Sequence, residues 1–569
     1  MSNYKTPGVY IEEISTLPAS VAPVATAIPA FVGYTEERST QKPVRITSLL
    51  EYREHFGESM SENYGITLTE NALDPTITDI AVSDPAGGLS NYILYYQLQM
   101  YFANGGGPCY VVSADTYQVD GSIDKAQLIA GIKLLEAEDE PTILVVPESI
   151  MLTVPGDRAD INNELLIQCN KLQDRVAVMD VAANPADTVV NDATAFRNNE
   201  VGMSYLKYGA AYYPALKTAL IRRYSEGSLL ITDDRGGPGA GVFHNCPLRA
   251  LTVGDTHAIG KIIITNNANI DGDEFTIGID TYKEGVGTFI KGAGNASTAD
   301  VLANEIDSPD YEVVDRTGNV ILIRATAEGA IGELALEYDD ADTTGIGAEV
   351  SGATLERLAA DTTLYNDIKK KIDAYTLELY PCATIAGVYA KVDRDRGVWK
   401  APANVSVNAV LEPNILVTHA EQEGLNIDAT SGKSINAIRP FTGKGNLVWG
   451  ARTLAGNDNE WRYVPVRRFF NFMEESIQKA TEPSVFEPNT AATWSKLKAM
   501  IENFLVQLWS AGALAGATPE DAFFVSVGLG KTMTALDILE GRLIIEVGVA
   551  AVRPAEFIIM KFSHKLQES

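Results

Sequence analysis

Between residues 92 and 214 the chain alternates short, continuous apolar runs with longer segments in which apolar residues recur every three or four positions. The runs lie at 109–113, 142–147, 175–180 and 208–214, and the periodic segments at 92–102, 126–136, 157–172 and 192–206. Apolar runs of this length predict strands buried on both faces, and the periodic segments predict the intervening helices. The pattern therefore predicts a parallel α/β sheet covered by helices on both sides.

Residues 255–349 have a different pattern, in which short apolar stretches are separated by turns rich in Gly and Asp. The sequences DGDE at 271–274 and RTGN at 316–319 predict such turns, and one helix is expected near 297–306. This stretch carries 19 acidic and 5 basic residues, a net charge of -14. We expect an inserted, β-rich module that faces solvent, with an acidic surface on one continuous domain as the alternative.

The C-terminal stretch 441–569 is nearly neutral, with 13 basic and 14 acidic residues. Within it, an apolar stripe with helical spacing is formed by Trp494, Leu497, Ile501, Phe504 and Leu508. The stripe predicts an amphipathic helix that is capped by Asn489 or Thr490 and ends before Gly516. We expect the stripe to be core, with a groove for a partner as the alternative.

Both ends of the chain are predicted to be extended. Pro23 and Pro29 interrupt the apolar stretch 20–33, which we interpret as an arm or linker. Strands are expected at 4–14, 543–549 and 557–566. An unpaired strand exposes backbone N–H and C=O groups, so these ends are expected to pair with neighbouring subunits. The apolar side chains available for that pairing are Val9, Tyr10, Ile11, Ile558, Met560 and Phe562.

Composition excludes several kinds of protein. A chain of 569 residues has room for two to four domains. Its formal charge of -30 repels phosphate backbones and anionic lipids, so nucleic acid and membrane surfaces are not expected partners. The sequence has no signal peptide and no apolar stretch long enough to cross a membrane, so a protein made in the cytosol is expected. No two cysteines have the CxxC spacing, so all are expected to be free thiols. They are Cys109, Cys169, Cys246 and Cys382.

No catalytic, cofactor or metal motif is complete. The GLGKT sequence ending at Thr532 resembles a phosphate-binding loop, but Val525 stands where the first glycine is required. The SGKS sequence at 431–434 fails in the same way, with Ile427 at that position. The acidic run 269–274 has its glycine misplaced for a calcium loop, and a hairpin turn is expected instead. Catalytic, cofactor and metal residues are therefore predicted to be absent.

Motifs distributed along almost the whole chain outside the acidic stretch resemble the tail sheath proteins of contractile phages and related contractile injection systems. The N-terminal motifs are TPGVYIEE at 6–13 and YFANGG at 101–106. The central motifs are AGVYA at 386–390 and RGVWKAPAN at 396–404. The C-terminal motifs are WGARTL at 449–454, VRR at 466–468, FEPN at 486–489 and RPAEF at 553–557. The residues of these motifs that are expected to be important are Gly397, Trp399, Pro402, Asn404, Arg452, Arg467, Arg468, Glu487 and Pro488.

The resemblance implies a structural subunit that polymerises as stacked hexameric rings around an inner tube and contracts to drive the tube through a cell envelope. It implies a subtilisin-like parallel-sheet core without a protease triad, no cofactor, and an α+β C-terminal domain. The implied partners are other sheath subunits, the tube protein, and baseplate and tail terminator or cap proteins, in a particle assembled in the bacterial cytoplasm. Two departures stand out: PCAT at 381–384 replaces a Pro-Ser-Gly-like turn, and the acidic stretch is outside the common core.

The domain organisation follows from these patterns. We expect an N-terminal arm and linker at 1–30, an α/β core at 31–225 and 359–440, an acidic outer domain at 226–358, and an inner C-terminal domain at 441–569. Two other functions remain open. The α/β pattern is also typical of hydrolases, although a fold does not specify a function, and a monomeric binding module is disfavoured by the extended ends. The sequence leaves open whether the particle is a phage tail or an injection device.

Overall fold

The computed structural model describes part of the chain, and contacts divide it into two units. The described residues are 21–560 without 39, 73–77, 86–87, 236–242, 245, 254–256, 286–288, 307, 318, 329–333, 340–347, 351–355, 358–359 and 558. Unit 1 consists of Met1–Ser59, Asn91–Ala219 and Glu378–Ser569. Unit 2 consists of Met60–Ser90 and Leu220–Leu377.

The strands alternate with helices in unit 1 and dominate unit 2. In chain order they are β1 Pro29–Thr35, β2 Val44–Ile46, β3 Gly65–Glu70, β4 Thr78–Ser83, β5 Cys109–Thr116, β6 Ile143–Val145, β7 Val176–Asp180, β8 Gly209–Tyr213, β9 Leu216–Thr218, β10 Leu230–Asp233, β11 Cys246–Pro247, β12 His257–Ile264, β13 Glu274–Ile277, β14 Asp280–Lys283, β15 Tyr311–Thr317, β16 Val320–Glu328, β17 Leu336–Asp339, β18 Ala348–Val350, β19 Glu356–Arg357, β20 Glu378–Leu379, β21 Val405–Ser406, β22 Val410–Pro413, β23 Ile435–Phe441, β24 Gly445–Val448, β25 Phe523–Val527 and β26 Ile545–Val549.

The helices include the two longest elements of the C-terminal region. In chain order they are α1 Leu49–Phe56, α2 Leu94–Ala103, α3 Lys125–Leu134, α4 Pro155–Leu172, α5 Val189–Ala195, α6 Ala250–Val253, α7 Asn295–Glu305, α8 Thr362–Asp373, α9 Cys382–Arg396, α10 His419–Asn426, α11 Val464–Thr481, α12 Ala491–Ser510, α13 Pro519–Ala522 and α14 Ala535–Leu539. Short 3-10 turns occur at Leu135–Ala137, Pro147–Met151, Leu206–Tyr208, Asn267–Asn269 and Glu482–Ser484.

The largest sheet of unit 1 has the strand order β2-β5-β1-β6-β7-β8-β23-β24-β21. The strands from β5 to β23 are parallel, and the edge strands pair antiparallel. β1, β6, β7 and β8 are buried along their whole length, as continuous apolar runs predict. The parallel sheet predicted from the sequence is confirmed.

Helices cover both faces of this sheet. A Cβ added to Gly131 of α3 would lie 2.5 Å from Val32, and one added to Gly33 would lie 3.2 Å from Leu94 of α2. Because successive residues of a strand point to opposite faces, α3 and α2 lie on opposite sides of β1. The doubly covered arrangement is therefore confirmed as well.

Two local predictions in this region were wrong. Residues 29–33 are not part of an arm, because β1 pairs with β5 on one side and β6 on the other. Pro29 is tolerated since it is the first residue of the strand. The helix expected at 192–206 is α-helical only to Ala195 and continues as a π-turn to Glu200. The Lys433 ammonium donates to the carbonyls of Arg197 and Val201, and π-turns of this kind are frequent where a helix departs from its regular pattern at a special contact.

Unit 2 is mainly β-structure. One sheet has the order β11-β10-β3-β4, a second has the order β15-β16-β12-β18, and a third has the order β14-β13-β17. The helix expected near 297–306 is α7, which packs on the core of the second and third sheets. Residues 60–90 and 359–377, which the sequence analysis assigned to the α/β core, lie in unit 2. The reason is that β3 pairs with β10 and that α8 packs its apolar stripe against β3.

The C-terminal region of unit 1 is built on α11 and α12. Leu497, Ile501, Phe504 and Leu508 of α12 are buried in one cluster with Phe469 and Phe472 of α11, so the stripe is core, as expected. The expected N-cap at Thr490 is confirmed, although its side chain makes no capping hydrogen bond. The other candidate, Asn489, accepts from the Trp494 indole (2.6 Å).

Candidate functional site

Three sequence motifs that are distant along the chain meet at one groove in unit 1. The groove has a volume of about 760 Å³. It is lined by residues from 396–404, 449–451 and 552–556, together with Tyr463 and Ala511. The sequence analysis identified each of these segments as a family motif, but nothing in the sequence indicated that they are neighbours.

The first wall of the groove is the loop that follows α9. Gly397 ends the helix with φ of +88°, and a Cβ at this position would lie 2.5 Å from the Trp399 ring. Glycine is required there for both reasons. Asn404 also has a positive φ, +56°, which asparagine tolerates, and its N–H donates to the carbonyl of Val448 (2.8 Å). Pro402 is buried between these turns.

The opposite side of the groove is the terminal segment 552–556, which an ion pair holds in place. The Arg452 guanidinium donates to the Glu556 carboxylate from Nε (2.9 Å) and Nη2 (2.5 Å). Asn426 and Tyr463 donate to the same carboxylate at 3.0 and 3.2 Å. Burial opposes ionisation of Glu556, but these hydrogen bonds and the Arg452 charge outweigh it and hold the pKa of Glu556 below its usual value. The last described residues therefore leave the groove from a fixed point.

The two arginines of the VRR motif lie behind the groove, on α11. The Arg468 guanidinium binds the Asp393 carboxylate of α9 with two hydrogen bonds (2.6 and 3.0 Å) and donates to the carbonyl of Thr26 (2.8 Å). Both side chains of this ion pair are buried. Arg468 thus ties the N-terminal linker to α9 and α11.

Arg467 has a different environment. Its guanidinium lies over the Trp461 ring (4.2 Å to the centroid) and the Tyr208 ring (5.2 Å). It donates to Asn471 (2.7 Å) and to Glu474 (3.1 Å). Burial lowers the pKa of Arg467, partly offset by Glu474. The side chain links α11 to the end of the parallel sheet.

The N-terminal linker is held on the C-terminal core. Val21 is buried in the cluster formed by α11 and α12, and the Val24 N–H donates to Ser476 Oγ (3.2 Å). The Ile28 N–H donates to Thr142 Oγ1 (3.0 Å) just before β1. The first described residue is therefore packed at the same core from which β25 and β26 emerge.

The remaining predicted residues do not join the groove. Glu487 and Pro488 are exposed on the loop between α11 and α12. Met560 is exposed and, like Phe557 and Ile559, has no strand partner, so the strand expected at 557–566 is not formed by those of its residues that are described. No strand in the described part of unit 1 lies beside these residues to pair with them. The predicted arm residues outside the described part of the chain are Val9, Tyr10, Ile11, Ile558 and Phe562.

The edges of the two-stranded sheet next to α12 are not paired with a further strand by the residues that the structure describes. β25 pairs antiparallel with β26 and with no other strand in the described part of the chain. The strand expected at 543–549 is thus confirmed as β26. Isolated two-stranded sheets are marginally stable in water, and this pair is supported by packing of Val525, Val547 and Val549 on the α12 core.

The lysine motifs do not form phosphate loops. Lys433 is buried, with its ammonium bound to backbone carbonyls. Thr532 Oγ1 donates to the carbonyl of Ile544 (2.7 Å) and accepts from the Gly528 N–H (3.2 Å), so it fastens a turn to β26. Among the residues that the structure describes, no group of three His, Cys, Asp or Glu side chains is placed to hold a metal ion.

One possible nucleophile was not identified from the sequence. Cys382 begins α9, and its N–H donates to the Asp180 carboxylate at the end of β7 (2.8 Å). Both groups are buried. Burial raises the pKa of Asp180 to about 7 and raises the pKa of the Cys382 thiol well above its usual value. A buried, protonated thiol is unreactive, and the pair acts as a link between the sheet and α9.

No helix in the described ranges is long and apolar enough to cross a membrane.

Comparison with known proteins gives consistent matches. Residues 456–565 match the model of the phage tail sheath C-terminal domain. The tail sheath protein of Vibrio phage KVP40 (isolate Vibrio parahaemolyticus/Japan/Matsuzaki/1991) is 24% identical over 271 residues, which are 44% of this chain and 39% of that protein. The chain therefore spans about two fifths of the length of this relative.

Solved structures match over the full length. The sheath of the extracellular contractile injection system PVC, in its contracted state, is 26% identical with a TM-score of 0.55, covering 100% of this chain and 99% of that chain. The contracted helical sheath of the anti-feeding prophage is 27% identical with a TM-score of 0.54, covering 99% and 100%. Together with the motifs in their order along the chain, these matches show that the chain carries a phage tail sheath C-terminal domain and is similar over its full length to the sheaths of contractile injection systems.

Proposed function

We propose that this chain is the structural subunit of a contractile sheath, which polymerises as stacked hexameric rings around an inner tube and shortens to drive the tube through a cell envelope. The proposal rests mainly on one observation, a two-stranded sheet that pairs with no other strand in the described part of the chain and packs on the same core as Val21, the first described residue. The full-length similarity to contracted sheaths supports it. The parallel sheet of unit 1 would be the subtilisin-like core, used as a scaffold.

The free edges of β25 and β26 suit the addition of strands from other copies. An added strand pairs its backbone with an open edge and places alternate side chains on the underlying core. Ordering an arm costs about 1–2 kcal/mol per residue. Each new hydrogen bond contributes about 0.5–1.5 kcal/mol and each buried Val, Ile or Phe about 1.5–3 kcal/mol. Val9, Ile11, Ile558, Met560 and Phe562 are available for this burial.

The C-terminal region is the candidate for the layer next to the tube. Its net charge is close to zero, and large apolar side chains are exposed around α14 and the two-stranded sheet: Phe524, Leu536, Leu539 and Ile544. Exposed apolar clusters on a soluble protein mark interaction surfaces. Baseplate and tail terminator or cap proteins are further partners in this proposal, in a particle assembled in the bacterial cytoplasm.

The acidic part of unit 2 is the candidate for the outer surface. The net charge of -14 within 255–349 is costly to bury and makes equivalent modules repel at close range. Deleting 255–349 and inserting a short linker is expected to leave polymerisation intact. If the folded deletion variant formed no polymer, the module would be an assembly interface rather than an outer decoration.

Contraction is proposed to need no nucleotide and no catalysis in this chain. Neither lysine motif forms a phosphate loop, and the work would come from burial of additional surface in the shortened state. At about 25 cal/mol per Å² of apolar area, a few hundred Å² per subunit would supply several kcal/mol. Purified extended particles should therefore contract in nucleotide-free buffer with a chelator; a strict requirement for ATP or a divalent ion would contradict this.

Electron microscopy of the purified protein tests the proposal against an α/β enzyme. Rings or tubes that appear above a threshold concentration are expected. The strongest enzyme candidate, the Cys382–Asp180 pair, is buried and has no access for a substrate. Discrete monomers at all concentrations, with turnover that a Cys382→Ser variant abolishes, would favour the enzyme.

A further inference from the structure

The loop between α11 and α12 presents its most apolar residues to solvent. Val485 is 60% exposed, and Phe486 is fully exposed, at 102%. The Glu487 N–H donates to the carbonyl of Ser484 (3.2 Å), which closes a tight turn, and Phe486 has φ of +71°. This turn position favours glycine. An aromatic residue there is strained, and strain of this kind is typical of residues that take part in function.

The same loop is acidic and conformationally restricted. Glu482 and Glu487 are exposed on either side of Phe486. Pro483 and Pro488 limit the conformations that the loop can adopt, so little entropy is lost when a partner binds it. We call residues 482–488 the knob loop. It combines one apolar tip with two carboxylates.

The groove described above has the complementary properties. Arg396, Lys400 and Arg553 line it, and none of them forms an ion pair with a carboxylate among the described residues of unit 1. The Glu556 carboxylate in the groove is already neutralised by Arg452. Burial and the nearby Arg396 charge lower the pKa of Lys400. The groove therefore favours an anionic ligand.

The groove also has apolar walls for an aromatic tip. The rings of Trp399 and Trp449 both line it, and Trp449 is 38% exposed. Cations beside aromatic surfaces bind ligands that combine a carboxylate with an apolar group, because the charge and the ring contribute separately. Within this chain, the knob loop is an exposed segment with that chemistry, apart from the half-buried Ser484.

We infer that the groove of one copy receives the knob loop of a second copy. This inference rests on the proposed function, because it requires subunits that polymerise. A protrusion and a pocket at different places on one surface make a heterologous contact, which propagates into an open helical assembly instead of closing as a dimer. A local match of charge is also needed because a chain with a net charge of -30 otherwise repels its copies.

Photo-crosslinking tests the contact directly. A benzophenone amino acid replaces Phe486 in the full-length protein, which is prepared in an unlabelled and a ¹⁵N-labelled form. Equal amounts of the two forms are mixed, polymerised and irradiated. Crosslinks from position 486 to 396–404 or 449–451 are expected, half of them in mixed-label peptide pairs. Crosslinks to residues 1–20, to another region, or only within one copy would overturn the inference.

Charge reversal provides a second test. E482K/E487K and R396E/K400E are each expected to raise the threshold concentration for polymers at least tenfold, and the variant with all four substitutions is expected to return within threefold of the native value. Glu520→Lys, an exposed charge reversal on α13, is the matched control and should leave the threshold unchanged. If the variant with all four substitutions needs as high a threshold concentration as either double variant, the inference is overturned.

The knob-loop contact and the sheath assembly are contradicted by different results. If the native protein polymerises but neither crosslinks nor charge rescue are found at the groove, the knob-loop contact is wrong and the sheath proposal stands. If the native protein forms no polymer at any concentration, both are wrong.

Discussion

Replacing Glu556 by Gln tests whether one ion pair holds the terminal segment on the groove. In the native protein the carboxylate of Glu556 accepts three hydrogen bonds from the Arg452 guanidinium, at 2.5–3.2 Å, and one each from Asn426 and Tyr463. A carboxamide keeps one acceptor oxygen and turns an NH2 group toward the guanidinium. The Arg452 side chain, which is 3% exposed, then keeps its charge without a counter-ion.

The size of the effect follows from burial. Breaking a fully buried ion pair costs about 3–5 kcal/mol. The Glu556 side chain is 22% exposed, so water can replace part of what is lost, and we expect a cost of about 2–3 kcal/mol. If the segment opens locally, this cost corresponds to amide exchange that is about 30- to 140-fold faster.

Hydrogen exchange of the monomeric subunit, followed in peptides that cover 545–557, measures this opening of the terminal segment directly. Urea unfolding followed by tryptophan fluorescence is a parallel measurement, because Trp399 and Trp449 line the groove. Glu546→Gln is the matched control, since it makes the same chemical change at an exposed position of β26, and it should change stability by less than about 0.5 kcal/mol. Equal exchange rates in the two variants, within twofold, would refute the claim that the Arg452–Glu556 ion pair holds the terminal segment on the groove.

Three other perturbations have defined outcomes. Phe486→Gly is expected to raise the free energy of unfolding of the monomer by about 1 kcal/mol, because glycine adopts φ of +71° without strain. The same variant is expected to polymerise more weakly. A monomer that is destabilised in urea titration would contradict the first expectation. Arg468→Met is expected to lower the free energy of unfolding by about 3–5 kcal/mol, because Asp393 stays buried and unpaired. Adding Asp393→Leu should recover most of this loss in the same urea titration. A double variant that is no more stable than Arg468→Met would contradict this. Stability is expected to fall as pH rises from about 5 to about 7, because burial raises the pKa of Asp180 to about 7 and the folded state then binds more protons than the unfolded state. Asp180→Asn should reduce that slope, and an unchanged slope would exclude Asp180 as its source.

The hydrophobic pattern along the chain predicted those strands and helices that each pack against a single apolar environment. The apolar runs of β6 and β7 are buried on both faces, and the stripe of α12 is core, because each element has one dominant environment. The location of 60–90 was missed, since β3 pairs with β10, which lies far away in sequence and has no local signal. The π-turn at Phe196–Glu200 was missed as well; its Arg197 carbonyl accepts from Lys433, which lies 236 positions further along the chain.

The candidate site was predicted only as separate pieces. The motifs identified Gly397, Trp399 and Arg452 as important, but spacing along the chain does not show that they surround one groove. Glu556 belongs to the RPAEF motif, but nothing in that motif shows that it faces Arg452. The Cys382–Asp180 link joins residues 202 positions apart, and no sequence pattern signals it.

A cryo-EM reconstruction of the assembled protein tests the central claim most directly. The account expects a sheet larger than two strands at β25 and β26, with added strands that contain residues 9–11 or 557–562 of other copies. Deleting residues 1–20 should then leave a folded subunit that does not polymerise. A helical assembly in which both edges of β25 and β26 remain bare, with the arms bound elsewhere, would contradict the account.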